Sequence, residues 1–436
     1  MNNFQTILVA VFLAFFVFGV MIFSGLIDFG SKTKSNNISG EIIVWGTLPS
    51  SQISELLFNN LPGSGDAFSV TYVEKKVDEL DQDLIEAYAK DKGPDLFILP
   101  SDMVLKNNNF IYKIPYTSYS EKTFRNSFID GADIYLSKDG VLGFPLLVDP
   151  LVLYYNKDML TNESILYPPA TWDELFSLNP KLTKKDKDGK IINSMIALGQ
   201  YDNVNHVKDI LSMFLLQSNN PIIIPIDKGY RLAFKDVSTD GISPINQIVN
   251  FFLEFSNPSK ESYSWNRSQP SSFDMFTSGK LAFYIGYASE LFKIESVNPN
   301  LSYDVTMIPQ TKGANLKRTY GNIYTIFISN KSKNLTSSSG VASLIKDSSF
   351  LKELGIATSL PTATRSLLAD KPTDPYIATF FDGAIISRSW FDPDNKQTDQ
   401  IFKELIENSI SNRLSVGSAI DKASNQLTLL LKKIYE

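Results

Sequence analysis

Residues 41–45, EIIVW, open a run whose order decides the fold. SSQISELLF follows at 50–58, FSVTYVEK at 68–75, VDELDQDLIEAYAK at 77–90 and PDLFILP at 94–100. The first, third and fifth pieces are short, apolar and rich in β-branched or aromatic residues, which reads as strand. The second and fourth carry apolar residues at helical spacing. This strand–helix–strand–helix–strand rhythm predicts an α/β fold with a parallel sheet and right-handed crossovers. In open sheets of this kind a ligand lies beyond the carboxyl ends of the strands. Trp45 and the segment Pro100-Ser101-Asp102 fall at those ends, so the sheet itself nominates a site.

Downstream, GFPLLVDPLVLYY at 143–155 is long, apolar and broken by two prolines, as expected of a strand that leaves one sheet and enters another. In PPATWDELFSL at 168–178, Thr171 reads as a helix N-cap and Glu174 completes a capping box. The two prolines ahead of it stop any upstream helix. LTKKDKDGKII at 182–192 reads as a charged hairpin turning near Asp188-Gly189. Its DKDG lacks the closing Glu of a calcium loop, so a solvated turn is expected. Further helices are predicted over 206–217 and 243–255, the second with Ser243 as N-cap and Pro244 as its first residue. SSFDMFTSGKLAFYIGY at 271–287 reads as helix, Gly turn and buried strand. VTMIP and IYTIFIS are strand-like, and helical segments run on to the C-terminus.

Composition removes whole classes of function. An apolar fraction of 43% and a charged fraction of 20% describe an ordinary folded chain. The net charge of −6 comes without a dense basic block, so no cationic stripe is available to neutralise nucleic-acid phosphates. The absence of cysteine excludes thiolate zinc sites, thiol nucleophiles, disulfides and an acylated-Cys anchor. A single histidine, His206, leaves no multi-His metal site. No phosphate loop, dinucleotide fingerprint or nucleophile elbow occurs, and no cofactor or metal is expected. Residues 7–27, ILVAVFLAFFVFGVMIFSGLI, carry no charge and are long enough to span a bilayer. The run exceeds the h-region of a cleavable signal and no small-x-small site follows. Residues 1–30 are therefore expected to be a retained membrane anchor, and 31–38 a polar linker. Lys32 and Lys34 follow the span and no cation precedes it; by charge bias alone the body would face inward.

Several segments taken together resemble the extracellular solute-binding proteins of ABC importers, in the sugar-binding branch that includes maltose-binding protein. They are GPDLFILPSD, GVLGFPLLVDPLVLYYNKDML, PPATWDELFSLNPKLT, FTSGKLAFYIGY, YDVTMIPQTKG and VGSAIDKASNQL. The combination of YYNKDML with PPATWDEL is the most specific. The resemblance implies a two-lobe periplasmic-binding-protein-like fold with a hinge and an inter-lobe cleft, placed outside the membrane. Lobe 1 would comprise 39–148 and 310–360, and lobe 2 would comprise 149–309 and 361–436. It also implies a small-molecule ligand, a sugar or oligosaccharide, captured by closure of the lobes and handed to ABC transporter permease subunits without catalysis.

Sugar recognition needs flat aromatic faces for the ring and planar groups for the hydroxyls. Placement at strand ends and lobe crossings selects Trp45, Asp102, Asp149, Tyr287, Arg388, Trp390, Tyr201 and Asn203 as ligand-binding residues, with Gln200 beside them. Tyr154, Tyr155 and Trp172 read as structural and His206 as helix surface. Gly46 to Ser50 lack the charges that maltose-type proteins carry there, which argues against a maltodextrin. Three alternatives stay open: a glycoside hydrolase using Asp102 and Asp149 as paired carboxylates, a membrane-anchored sensor or scaffold, and a receptor for a peptide or polyamine.

Overall fold

A computed structural model describes residues 38–61, 68–237 and 243–435. The apolar stretch 7–27 lies outside them, and no helix among the described residues is long and apolar enough to cross a membrane. The sheet and the helices covering it are built within 38–435.

The opening rhythm forms as expected: β1 (Gly40–Gly46), α1 (Ser50–Asn59), β2 (Phe68–Glu74), α2 (Leu80–Ala89) and β3 (Leu96–Leu99). β1 lies between β2 and β3 and runs parallel to both. All four residues of β3 are buried, which is why its sequence is a continuous apolar run and not an alternating one. There follow β4 (Phe144–Asn156), α3 (Trp172–Leu182), β5 (Ile191–Ile196), α4 (Val207–Gln217) and α5 (Pro244–Glu254). Next come β6 (Leu281–Tyr287), β7 (Tyr303–Thr306) and β8 (Thr319–Ile328). The principal helices after them are α6 (Leu335–Ile345), α7 (Ser348–Thr358), α8 (Pro375–Ile386), α9 (Asn395–Ile410) and α10 (Val416–Tyr435).

The main sheet has the order β2-β1-β3-β8-β4-β6-β5, ending in a short edge strand, and β7 also pairs with β4. β4 belongs to both ends of it. Its residues from Phe144 to Pro150 pair antiparallel with β8, and those from Leu151 to Asn156 pair with β6 and β7. Both prolines of the crossing stretch lie in the part that pairs with β8, where they donate no ladder hydrogen bond. Opposite Pro145 the register slips between Tyr324 and Thr325. The chain thus makes a mixed α/β sheet of two halves joined through one thirteen-residue strand.

Local grammar is obeyed at α3. Thr171 Oγ1 accepts from Glu174 N at 3.3 Å, and Glu174 Oε2 accepts from Thr171 N at 3.3 Å. Replacing Thr171 with alanine removes half of this reciprocal cap and should cost about 1 kcal/mol, read as a lowered urea midpoint at unchanged slope; a midpoint equal to wild type would show the cap contributes nothing. In the charged hairpin, Asp186 Oδ1 accepts from the backbone of Asp188 and Lys190 while Gly189 takes a φ of +80°. These bonds make it a turn, and no metal-binding cluster of acidic or His residues occurs among the described residues.

Candidate ligand-binding cleft

Asp102 stands where the sheet rule places a ligand group. β3 ends at Leu99, and a 3₁₀ turn over Ser101–Met103 follows Pro100. The carboxylate is 8% exposed. Its Oδ2 accepts from Asn395 Nδ2 at 2.5 Å, while its Oδ1 is buried without a partner. Lys208 Nζ lies 4.0 Å from Oδ2. Burial pushes the Asp102 pKa up to about 6, only partly offset by Lys208, with Asp209 and Asp392 adding to the rise.

Lys208 comes from α4, a helix buried along its length from Val207 to Leu216 except at Asp209. Such a helix has no polar face, so a lysine in it must find partners inside. Nζ donates to Asp392 Oδ2 at 2.8 Å and to Asn395 Oδ1 at 2.7 Å. Burial alone would lower its pKa, but Asp392, Asp209 and Asp102 hold it above the usual lysine value. Asp209 is itself raised by burial, and its Oδ1 has no partner. Ser101 Oγ meets Ser389 Oγ at 2.5 Å. Asp102 and Ser101 belong to the β1–β3 half, Lys208 to the other half, and the segment 389–395 meets both. The polar contacts therefore run from one half of the molecule to the other.

A cavity of about 320 Å³ opens beside Asp102, walled by Asp78, Asp81, Lys106, Asp394, Asn395 and Asp399. Lys106 bridges Asp81 and Asp394 at 2.9 and 3.0 Å, and Lys396 pairs with Asp78 at 3.5 Å.

A second buried cluster lies at the middle of β4 and the end of β6. Asp149 is 4% exposed and its Oδ1 accepts from Ser289 N at 3.0 Å. Burial raises its pKa to about 7, against the opposing effect of the Ser289 bonds. The Tyr287 hydroxyl accepts from Asn322 Nδ2 at 3.2 Å. His206 corrects the sequence expectation of a helix-surface side chain. It holds a left-handed backbone at the start of α4, packs edge-on against Tyr287 at 4.9 Å between ring centroids, and bonds Glu290 Oε2 at 3.0 Å. Burial disfavours its charged form, yet the Glu290 bond and charge prevail and raise its pKa.

The other sequence-nominated residues have structural partners. Trp45 is buried at the end of β1 with Lys75 Nζ 3.9 Å from its ring centroid. Trp390 donates through Nε1 to Ser212 Oγ at 3.2 Å. Arg388 pairs with Asp130 at 3.0 Å. Tyr201 donates to Asp399 Oδ1 at 2.6 Å, which ties it to the cavity wall. Asn203 donates to the carbonyls of Asn266 and Gln269 and accepts from Trp265 Nε1, so its amide is fully engaged. Among the nominated residues only Asp102 lines the cavity. Lys208, Asp209, Asp392, Asn395, His206 and Glu290 escaped sequence reasoning. The one available signal was a Lys-Asp pair near the start of an otherwise apolar helix.

Residues 61–378 match the family described as bacterial extracellular solute-binding protein, and the chain belongs to that family. A galactooligosaccharide-binding protein of Bacillus subtilis (strain 168) is 23% identical over 195 residues, 42% of this chain and 40% of the relative. A binding protein of Brucella abortus (strain 2308) is 26% identical over 227 residues, 50% of each chain. The chain thus spans half or less of the length of these curated relatives. Among solved structures, the sugar-binding protein MalE of Xanthomonas citri aligns with a TM-score of 0.71 at 15% identity, covering 90% of this chain and 98% of that one. A cyclo/maltodextrin-binding protein in complex with maltotetraose aligns with a TM-score of 0.70 at 15% identity over 91% and 98%. These likenesses establish the two-lobe α/β fold.

Proposed function

We propose that the protein captures a sugar or oligosaccharide between its two lobes and presents it to the permease of an ABC importer, without turnover. The lobes are 39–148 with 310–360 and 149–309 with 361–436, and residues 7–27 tether the body to the outer face of the membrane. The observation that carries this reading is Asp102: a buried carboxylate with one oxygen unpartnered, at a strand end, lining a cavity where both halves meet. An unpaired buried acceptor favours a ligand that donates a hydrogen bond to it. A solute donating to groups of both halves at once favours the closed arrangement. Galactooligosaccharide and maltodextrin recognition by relatives of the same family and fold supports the ligand class. The acidic walls favour a second reading, a solute bearing amine groups: five carboxylates face two lysines there, Lys106 and Lys396.

A fragment spanning residues 36–436 should show a raised melting temperature with one class of oligosaccharide. Saturation at a hundredfold excess over Kd corresponds to about 2.7 kcal/mol. Asp102→Ala should abolish the shift while leaving the protein folded. Shifts by polyamines alone would replace the sugar by the amine, and a full panel without any shift would sink the solute-receptor reading.

A further inference from the structure

A larger concavity lies away from the cleft. It is a groove of about 760 Å³ between α3, the end of α4, the start of α5 and the loop 311–316. Its floor is aromatic. Trp172 packs against Phe214 and Phe251 at centroid distances of 4.9 and 5.9 Å, and Phe176 packs against Phe251 at 5.2 Å. The indole Nε1 already donates to Gln217 Oε1 at 2.9 Å, so Trp172 has no N–H left to give. The loop above is closed at its neck, where Arg318 N donates to Gln310 Oε1 at 2.8 Å, and residues 311–317 are all exposed.

Arg318 ends this loop and lines the groove. Its Nη1 donates to Leu216 O at 3.0 Å, but its Nε is buried with no partner. Among the described residues no carboxylate lies within 4.0 Å of it, whereas its neighbour Arg388 has Asp130. Burial and the repulsion of Arg388 both disfavour its charge. Lys312 adds a second cation to the wall, and the one wall carboxylate, Asp173, forms no ion pair with Arg318. Among the described residues the guanidinium has no counter-ion and its buried N–H no acceptor, and both call for an anion. The rings beside them call for an apolar body.

We propose that this groove is a second binding site, taking a small amphipathic anion: an aryl or acyl carboxylate whose apolar part lies on Trp172 and Phe251 and whose head meets Arg318. The site is independent of the solute cleft.

The test uses 1-anilinonaphthalene-8-sulfonate, an amphipathic aromatic anion that fluoresces when bound, on the fragment spanning residues 36–436. Its titration should saturate at one site. Decanoate should displace it at a concentration at least tenfold lower than decanol does. R318Q should weaken the probe and decanoate about tenfold and leave decanol unchanged, while R318K should retain most of the affinity. Unsaturable fluorescence, equal competition by decanol, or wild-type affinity in R318Q would each overturn the proposal. Should R318Q fail to fold, the decanoate–decanol comparison on the wild-type protein decides alone.

Discussion

Lys208→Met will destabilise the protein by about 3–5 kcal/mol at pH 7.5, as expected when one partner of a buried charge group is removed. Methionine nearly matches the length of the side chain, so packing changes little; what is lost is the cation. Asp392, 1% exposed, loses the ammonium that donates to it at 2.8 Å. Asp102 and Asp209, both already raised by burial, lose the charge that restrains them. Without Lys208, Asp102 and Asp209 are driven further toward protonation, and the folded variant binds protons that its unfolded chain has released. Its stability must therefore recover as pH falls. Urea unfolding at pH 7.5 and pH 5 checks this: the gap to wild type should narrow at pH 5, and Lys208→Met/Asp392→Asn should close part of it. A loss below about 1 kcal/mol at both pH values would show that Lys208 is not the keystone of the cluster.

The unliganded protein should be most stable between about pH 4 and 5 and lose stability up to about pH 8. Asp149 and Asp102 have folded-state pKa values of about 7 and about 6, above the ordinary carboxylate value. Between that value and the folded one the native state holds protons the unfolded chain lacks, so stability falls as pH rises through the interval. His206 acts in the same direction, since the stability from its raised pKa is lost as pH climbs past it. Glu290 acts oppositely and only at the acid end: its pKa is depressed, so its contribution disappears as pH drops below the usual glutamate range. Asp149→Asn keeps an acceptor for Ser289 N and removes the Asp149 contribution. It should raise the melting temperature at pH 8 by several degrees. A variant with the wild-type pH profile would refute the assignment. Where stability increases on removing a buried charge, the charge is retained for something other than folding.

Features governed by neighbours in the chain were legible from sequence. The opening parallel strands, the Thr171–Glu174 cap and the two-part strand β4 each follow from spacing, proline placement or a cap pair a few residues apart. The position of Asp102 was legible because strand order fixes which residues follow the carboxyl end of β3. The partners that give Asp102 its character were not. Lys208 reaches Asp392 across 184 residues of chain, and the His206–Glu290 pair spans 84. Nothing local announces either. Arg388 and Asn203 show the converse: residue type and position suited a ligand, yet Asp130 in one case and the carbonyls of Asn266 and Gln269 in the other already occupy them.

The shared sheet also dictates when the molecule can finish folding. The first three strands are made early, but β3 needs β8 as its antiparallel neighbour, and Ser101 Oγ accepts from Ile323 N across 222 residues of chain. Closing so long a loop costs entropy before any contact is gained. Until β8 arrives, one edge of β3 stays unpaired and Asp102 lacks the frame that buries it. The β1–β3 unit therefore cannot complete its sheet before residues 319–328 have been made.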